Sequence, residues 1–276
     1  MPTRSVRGVL LSEVLDDLLA EQAALDAVVA GISDADWRRA TPSAPWTVAD
    51  QIGHLTYFDR IATLAICDPP AFIDHRDELY VRFADPREVD ELTLGEFRTL
   101  APTEQLAAWR AGRDGLEAAA RTLTDDQRVE WYGPSMSAKS FLTARLMEVW
   151  AHGQDVVDAL DAGARRPDTD RLVHVAQLGF ITRGWSYQVR GESPPDVPVR
   201  VVLTAPSGAE WAWGPDDATD TVRGPAGDFC RVVTQRRHVA DTDLVVVGAA
   251  AAAWMGKAQA FAGLATDGPP PRQAHT

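Results

Sequence analysis

Three side chains in this sequence have the types and spacing to grip one cation. Glu148 precedes His152 by four residues in MEVWAHGQDV, which puts a carboxylate and an imidazole on one helical face a turn apart. His54, in QIGHLTYF, lies in a second helical stretch with Leu55, Phe58 and Ile61 beside it. An acid and an imidazole from one rigid helix, joined by an imidazole from a facing helix, make a three-ligand site with positions left open. The same residues also fit plainer roles, a helix-surface acid–imidazole pair and a core histidine held by one hydrogen bond. A Glu-x3-His spacing is much less specific than a zincin motif, so spacing alone leaves both readings standing. Asp155, three residues past His152, is spaced to accept the second imidazole N–H that a metal-bound histidine usually donates, and serves equally as a solvated or capping acid.

Four long helices must position these groups. Leu10, Val14, Leu18, Leu25 and Val28 recur at helical spacing between acidic residues and predict a helix over 9–29. Pro42 and Pro45 mark a loop, after which Thr47 with Asp50 three residues on predicts the capped start of a second helix that ends before Pro69 and Pro70. Residues 71–101 read as a charged, irregular insertion with a short helix over 89–100. Pro102 opens a third helix, and residues 137–163 form a fourth, with Gly163 as its stop. Four such helices with mostly short links predict a bundle. A fifth helix is expected over 168–189.

After ESPPD the period changes from helical to alternating. Residues 197–214 read as a β-hairpin, 219–223 and 242–247 as further strands, and helices are expected from Pro225 and from the alanine run at 249–253. The expected fold is therefore α plus α+β, a helical bundle followed by a smaller α+β domain. The boundaries expected are 1–165 for the bundle, 166–196 for a helix and linker, 197–266 for the second domain and 267–276 for a disordered tail.

Composition excludes several function classes. With 27 Lys and Arg against 40 Asp and Glu the net charge is −13, which argues against nucleic-acid phosphates or anionic membranes as partners. The N-terminal segment MPTRSVRGVLLSEVLDDLLAEQ runs quickly into acidic residues and does not read as a leader, and the apolar stretch 245–255 is too short to span a bilayer. Only Cys67 and Cys230 are present, too few for a disulfide framework, and both are expected to be packing residues in a cytoplasmic protein. Most of the nine tryptophans, Trp46, Trp211 and Trp213 among them, read as core or interface anchors.

The segment from Trp46 to His54 (WTVADQIGH), followed by Glu148 to Asp155 (EVWAHGQD), resembles the metal-binding pattern of the DinB-like four-helix superfamily, and more narrowly that of the mycothiol-dependent maleylpyruvate isomerase family of actinobacteria. The resemblance implies a divalent metal held by His54, Glu148 and His152, with zinc the first expectation and nickel, iron or manganese also accommodated. It implies a C-terminal α+β domain similar to sterol-carrier proteins. It further implies that the metal lowers the pKa of a low-molecular-weight thiol, mycothiol as cosubstrate, for isomerisation or S-transfer on a small electrophile such as maleylpyruvate. In the cluster Arg231, Arg236 and Arg237, the resemblance gives Arg236 the role of clamping a substrate carboxylate, although the family's Thr-Gly-Arg reads Thr234-Gln235-Arg236 here and a surface ion pair fits as well. A non-catalytic metal-binding protein with a carrier-like apolar-ligand domain is the alternative. A structural site takes four protein ligands, and the sequence offers three.

Overall fold

Apolar side chains three and four apart build the first helix, α1 (Leu11–Val29), in the computed structural model of the protein, which describes residues 9–82 and 86–272. Residues 1–8, part of the segment read for a leader, and residues 273–276, the end of the expected tail, lie outside the described residues. Val14, Leu18, Leu25 and Val28 are buried, and Glu13 accepts from the Leu10 N–H to close the first turn. A single turn, α2 (Asp34–Trp37), precedes α3 (Val48–Cys67), where Thr47 and Asp50 cap reciprocally as their spacing predicts. Such a cap contributes about 1 kcal/mol and fixes where the helix carrying His54 begins.

Residues 71–101 hold more helix than the short stretch expected over 89–100, and residues 83–85 lie outside the described residues. Two helices, α4 (Pro69–Arg82) and α5 (Pro86–Arg98), occupy most of them. The prolines read as ending a helix begin the next one, because a proline in the first turn gives up an N–H that has no partner there anyway. Few apolar residues mark the inward faces, Phe72 and Leu79 on α4, Leu94 and Phe97 on α5, so abundant charge masked the period. Gly53 matters for α5: a Cβ there would sit 3.1 Å from Phe97 Cβ, so its absence lets α5 lie close on α3 beside His54.

The bundle is completed by α6 (Pro102–Ala120) and α7 (Ala138–Leu160), with a short ribbon of β1 (Arg128–Val129) and β2 (Met136–Ser137) between them. Helix α3 packs on α4, α5, α6 and α7, while α1 packs on α7 and α6. The left-handed residue that ends α7 is Asp161 (φ 52°), not Gly163; aspartate is one of the few side chains that tolerate that conformation. Deep in the bundle Arg145 donates to Asp59 at 2.8 Å, with both side chains essentially inaccessible.

The chain divides into two compact units, Leu10–Pro167 and the segment from Asp168 onward. In the second, the single helix expected over 168–189 is two, α8 (Leu172–Ile181) and α9 (Arg183–Gln188), broken where the Thr182 hydroxyl donates to the carbonyls of Leu178 and Gly179. The hairpin forms from β3 (Val199–Thr204) and β4 (Glu210–Trp213), and β5 (Asp220–Pro225) then pairs parallel to β3, giving the order β4-β3-β5-β6 with β6 at Val245–Val247. Gly214 (φ 86°) permits this crossing: a Cβ there would lie 2.4 Å from the Val199 carbonyl. Helices α10 (Ala226–Val233) and α11 (Ala249–Met255) complete the unit. Its core gathers Trp211, Trp213, Phe229 and Trp254. The tail through Arg272 has neither helix nor strand, and the Arg272 N–H donates to Asp241. No helix among the described residues is long and apolar enough to cross a membrane.

Gln235 follows α10 with a left-handed backbone (φ 59°), the conformation glycine would adopt freely in a Thr-Gly-Arg turn. Its side chain offsets that cost: Nε2 donates to the carbonyls of Ala258 (3.1 Å) and Thr266 (2.7 Å), and Oε1 accepts from the Thr266 hydroxyl (2.5 Å). Gln235→Ala, which keeps the strain and loses the bonds, should cost about 1–2 kcal/mol in urea unfolding. Gln235→Gly should recover roughly 1 kcal/mol of it. Equal stabilities for the two variants would contradict this balance.

Candidate metal centre

The three side chains singled out by spacing converge. His54 comes from the second turn of α3, Glu148 and His152 from the middle of α7, and one ligand atom from each lies within 4.8 Å of the others. Glu148 Oε2 is 3.1 Å from His152 Nε2 and 3.6 Å from His54 Nε2, and the two imidazole centroids are 4.2 Å apart. Two ligands on bonds of roughly 2.1 Å at a tetrahedral angle are separated by about 3.4 Å, so these spacings fit one shared cation. The donor set, two imidazoles and a carboxylate, suits zinc and other first-row divalent ions. Among the described residues no second group of three such side chains gathers this way.

Electrostatics favour a charged ligand here. Burial pushes the Glu148 carboxyl up, but hydrogen bonds from His152 and His54 and the Coulomb pull of both rings outweigh it and hold the carboxyl well below the ordinary carboxylate range. Glu148 keeps 22% of its side chain exposed, against 15% for His54 and 11% for His152, so the cluster is not fully sealed from solvent.

The remaining nitrogen of His152, Nδ1, lies 2.6 Å from Gln51 Oε1. Sequence reasoning gave that position to Asp155, whose Oδ2 instead accepts from Ser43 Oγ at 2.9 Å and ties α7 to the loop before α3. Gln51 is fully buried one turn before His54, and its Nε2 donates to Thr41 Oγ1 at 2.9 Å. Nothing in the sequence paired it with His152; a polar side chain between Val48, Ile52 and Leu55 was the only signal.

Trp46 is not simply a core anchor. Its ring lies 5.0 Å from His54 and 5.9 Å from His152, centroid to centroid, and Phe58 approaches His54 at 4.6 Å. The indole N–H donates to Asp90 on α5 at 3.2 Å, and Arg98 on the same helix pairs with Asp90 and with Asp50 of the α3 cap. One task of α5 is thus to hold Trp46 against the imidazole pair.

Arg231 pairs with Asp168 at 2.9 Å, while Arg236 is half-buried with Nη1 donating to the Thr234 carbonyl at 2.7 Å. Cys230 is buried, and burial pushes its thiol well above the usual range, as expected of a packing residue. Cys67 is exposed at the end of α3, so the packing role fits only Cys230. His75 lies 2.9 Å from the Tyr57 hydroxyl, and His238 accepts from the Ala240 N–H. Trp211 and Trp213 are core residues, with Trp213 Nε1 donating to Gln177.

Comparison with known proteins agrees with this architecture. Uncharacterized proteins from two strains of Mycobacterium tuberculosis are each 43% identical over 247 residues, spanning 90% of this chain and 94% of theirs. A crystal structure of the mycothiol-dependent maleylpyruvate isomerase superposes with a TM-score of 0.56 at 18% identity, over 89% of this chain and 95% of that one. A histidine-to-alanine mutant of that enzyme gives 0.57 at 18% identity, over 86% and 92%. At that identity the likeness speaks to the fold alone, a helical domain followed by a small sheet domain. A family model described as wyosine base formation matches residues 195–247. The model of the mycothiol maleylpyruvate isomerase N-terminal domain runs from residue 18 to 157, more than half of the chain and across both helices that bring His54, Glu148 and His152 together, and by that match the chain belongs to this family.

Proposed function

We propose that this protein is a divalent-metal enzyme that activates a low-molecular-weight thiol, mycothiol, for attack on a small electrophilic substrate such as maleylpyruvate. The observation that carries the reading is the convergence of His54 Nε2, Glu148 Oε2 and His152 Nε2, with part of the Glu148 side chain still exposed. Three protein donors suit a reactive site, where a closed structural site takes four. When bound, the metal, with zinc the first choice and nickel, iron or manganese alternatives, lowers the pKa of a thiol so that thiolate exists at neutral pH.

The chain's own residues supply the rest. His54, Glu148 and His152 hold the cation. Trp46 and Phe58 flank the imidazoles and keep water from them on that side. Asp155 acts as a positioning residue through Ser43, in the loop that carries Trp46. Arg236 takes the substrate carboxylate, a role supported by its left-handed turn, which Gln235 reproduces without glycine. In isomerisation the thiolate sulfur adds to the double bond and the electron pair moves onto the conjugated carbonyl. Rotation about the new single bond follows, and the returning pair expels the thiolate, so thiol is not consumed. S-transfer by displacement of a leaving group is the other outcome open to the same nucleophile. Two free thiols, Cys67 and Cys230, fit work in a reducing cytoplasm.

Turnover of maleylpyruvate and of a panel of electrophiles, with and without mycothiol, tests the reading. Metal-loaded protein should turn over substrate only when the thiol is present, and Arg236→Ala should raise KM for the carboxylate substrate with metal content unchanged. Equal rates without thiol would remove the thiol-dependent half of the proposal.

A further inference from the structure

From the hydrogen bonds behind the cluster we infer that Gln51, oriented by Thr41, is a positioning residue that sets His152 in the tautomer with its proton on Nδ1, leaving the Nε2 lone pair for a cation. The inference rests on the metal reading of the cluster. The direction of the whole series follows from one group at its end that can act in only one way. The Trp46 carbonyl can only accept, and it takes the Thr41 hydroxyl proton at 2.8 Å. That hydroxyl has no proton left for the amide, so it accepts from Gln51 Nε2 at 2.9 Å. The amide oxygen is thereby turned toward His152 Nδ1, 2.6 Å away, and a carbonyl-type oxygen there requires Nδ1 to donate. With a cation in the cluster, Nε2, the atom beside Glu148, is then the nitrogen left to present its lone pair to it.

Burial makes the arrangement hard to replace. Gln51 is 0% exposed and Thr41 is buried, so water has little access to substitute for either, and an amide turned the wrong way round would leave the Trp46 carbonyl without its hydroxyl proton. Gln51 sits three residues before His54 on α3, so a single helix delivers one ligand and the group that orients another. Metal-bound imidazoles generally need such a partner on the second nitrogen, more often a carboxylate or backbone carbonyl than a glutamine amide.

The test is zinc affinity by competition with a chromogenic chelator, paired with nitrogen NMR of the zinc-loaded protein. Gln51→Met, close in volume and without an acceptor, should bind zinc about 10–100-fold more weakly. Gln51→Glu, which restores an acceptor at Nδ1, should recover most of that loss, and Thr41→Val, which frees the amide to turn, should give an intermediate affinity. NMR of the wild type should find the remaining His152 proton on Nδ1. Wild-type affinity in a folded Gln51→Met variant, no recovery in Gln51→Glu, or zinc on Nδ1 of His152 would each overturn the positioning role while leaving the metal reading intact. If Gln51→Met does not fold, the glutamate variant and the wild-type NMR decide. A wild type that takes up no zinc overturns the metal reading, and this inference falls with it.

Discussion

Elemental analysis of the purified protein should find about one divalent ion per chain, and His54→Ala or His152→Ala should each abolish it. Either change leaves a two-ligand site whose remaining imidazole and carboxylate cannot enclose a cation against water. The losses should be selective. The bundle core of Leu18, Leu25, Ile52, Leu55 and Trp109 does not depend on either ring, so far-UV circular dichroism should stay that of the wild type. Added zinc should raise the unfolding free energy of the wild type, by about 2.7 kcal/mol at a hundredfold excess over Kd, and leave both variants unmoved. Stoichiometric metal surviving either substitution would mean that the three side chains meet for some other reason.

Arg145→Met should be the most destabilising single change in the bundle, at about 3–5 kcal/mol. The pair it breaks is sealed: Asp59 is 0% exposed, and its carboxylate keeps a 2.8 Å bond from Arg145 between α3, α6 and α7, with weaker pulls from Arg113 and Trp109 of α6. Losing the cation strands the carboxylate, a larger penalty than the pair contributes when intact. Burial already pushes the Asp59 carboxyl up, against the pull of Arg145, and removing Arg145 lets it rise further. A carboxyl whose folded pKa is raised binds its proton more tightly folded than unfolded, so stability falls as pH climbs above the ordinary carboxylate value. Arg145→Met should therefore regain part of its deficit at pH 4 relative to pH 7 in urea unfolding. A deficit that is flat or deepens toward acid would contradict a stranded carboxylate.

How much of this was legible beforehand depended on the range of the interaction. Helical rise and twist are local, so Glu148 and His152 had to share a face of α7 whatever that helix packed against, and the Thr47–Asp50 cap had to start α3 just ahead of His54. Alternation likewise marked β3 and β4 as a hairpin. Where apolar residues were sparse the local period was faint: α4 was hidden behind its charges and α5 was legible only as a short helix over 89–100, although Pro69 and Pro86 in their first turns are compatible with helix.

The partners of the site were decided elsewhere. That His54 faces Glu148, that Gln51 rather than Asp155 meets His152 Nδ1, and that Asp90 of α5 holds the Trp46 indole all depend on the rotation and offset of whole helices about one another. Those are set by close packing of the entire bundle, including the bare surface of Gly53 against Phe97 and the burial of Arg145 with Asp59. A sequence names the residues that share a face of one element. Which faces meet is a property of the packed core, because only there do side chains distant along the chain compete for the same space.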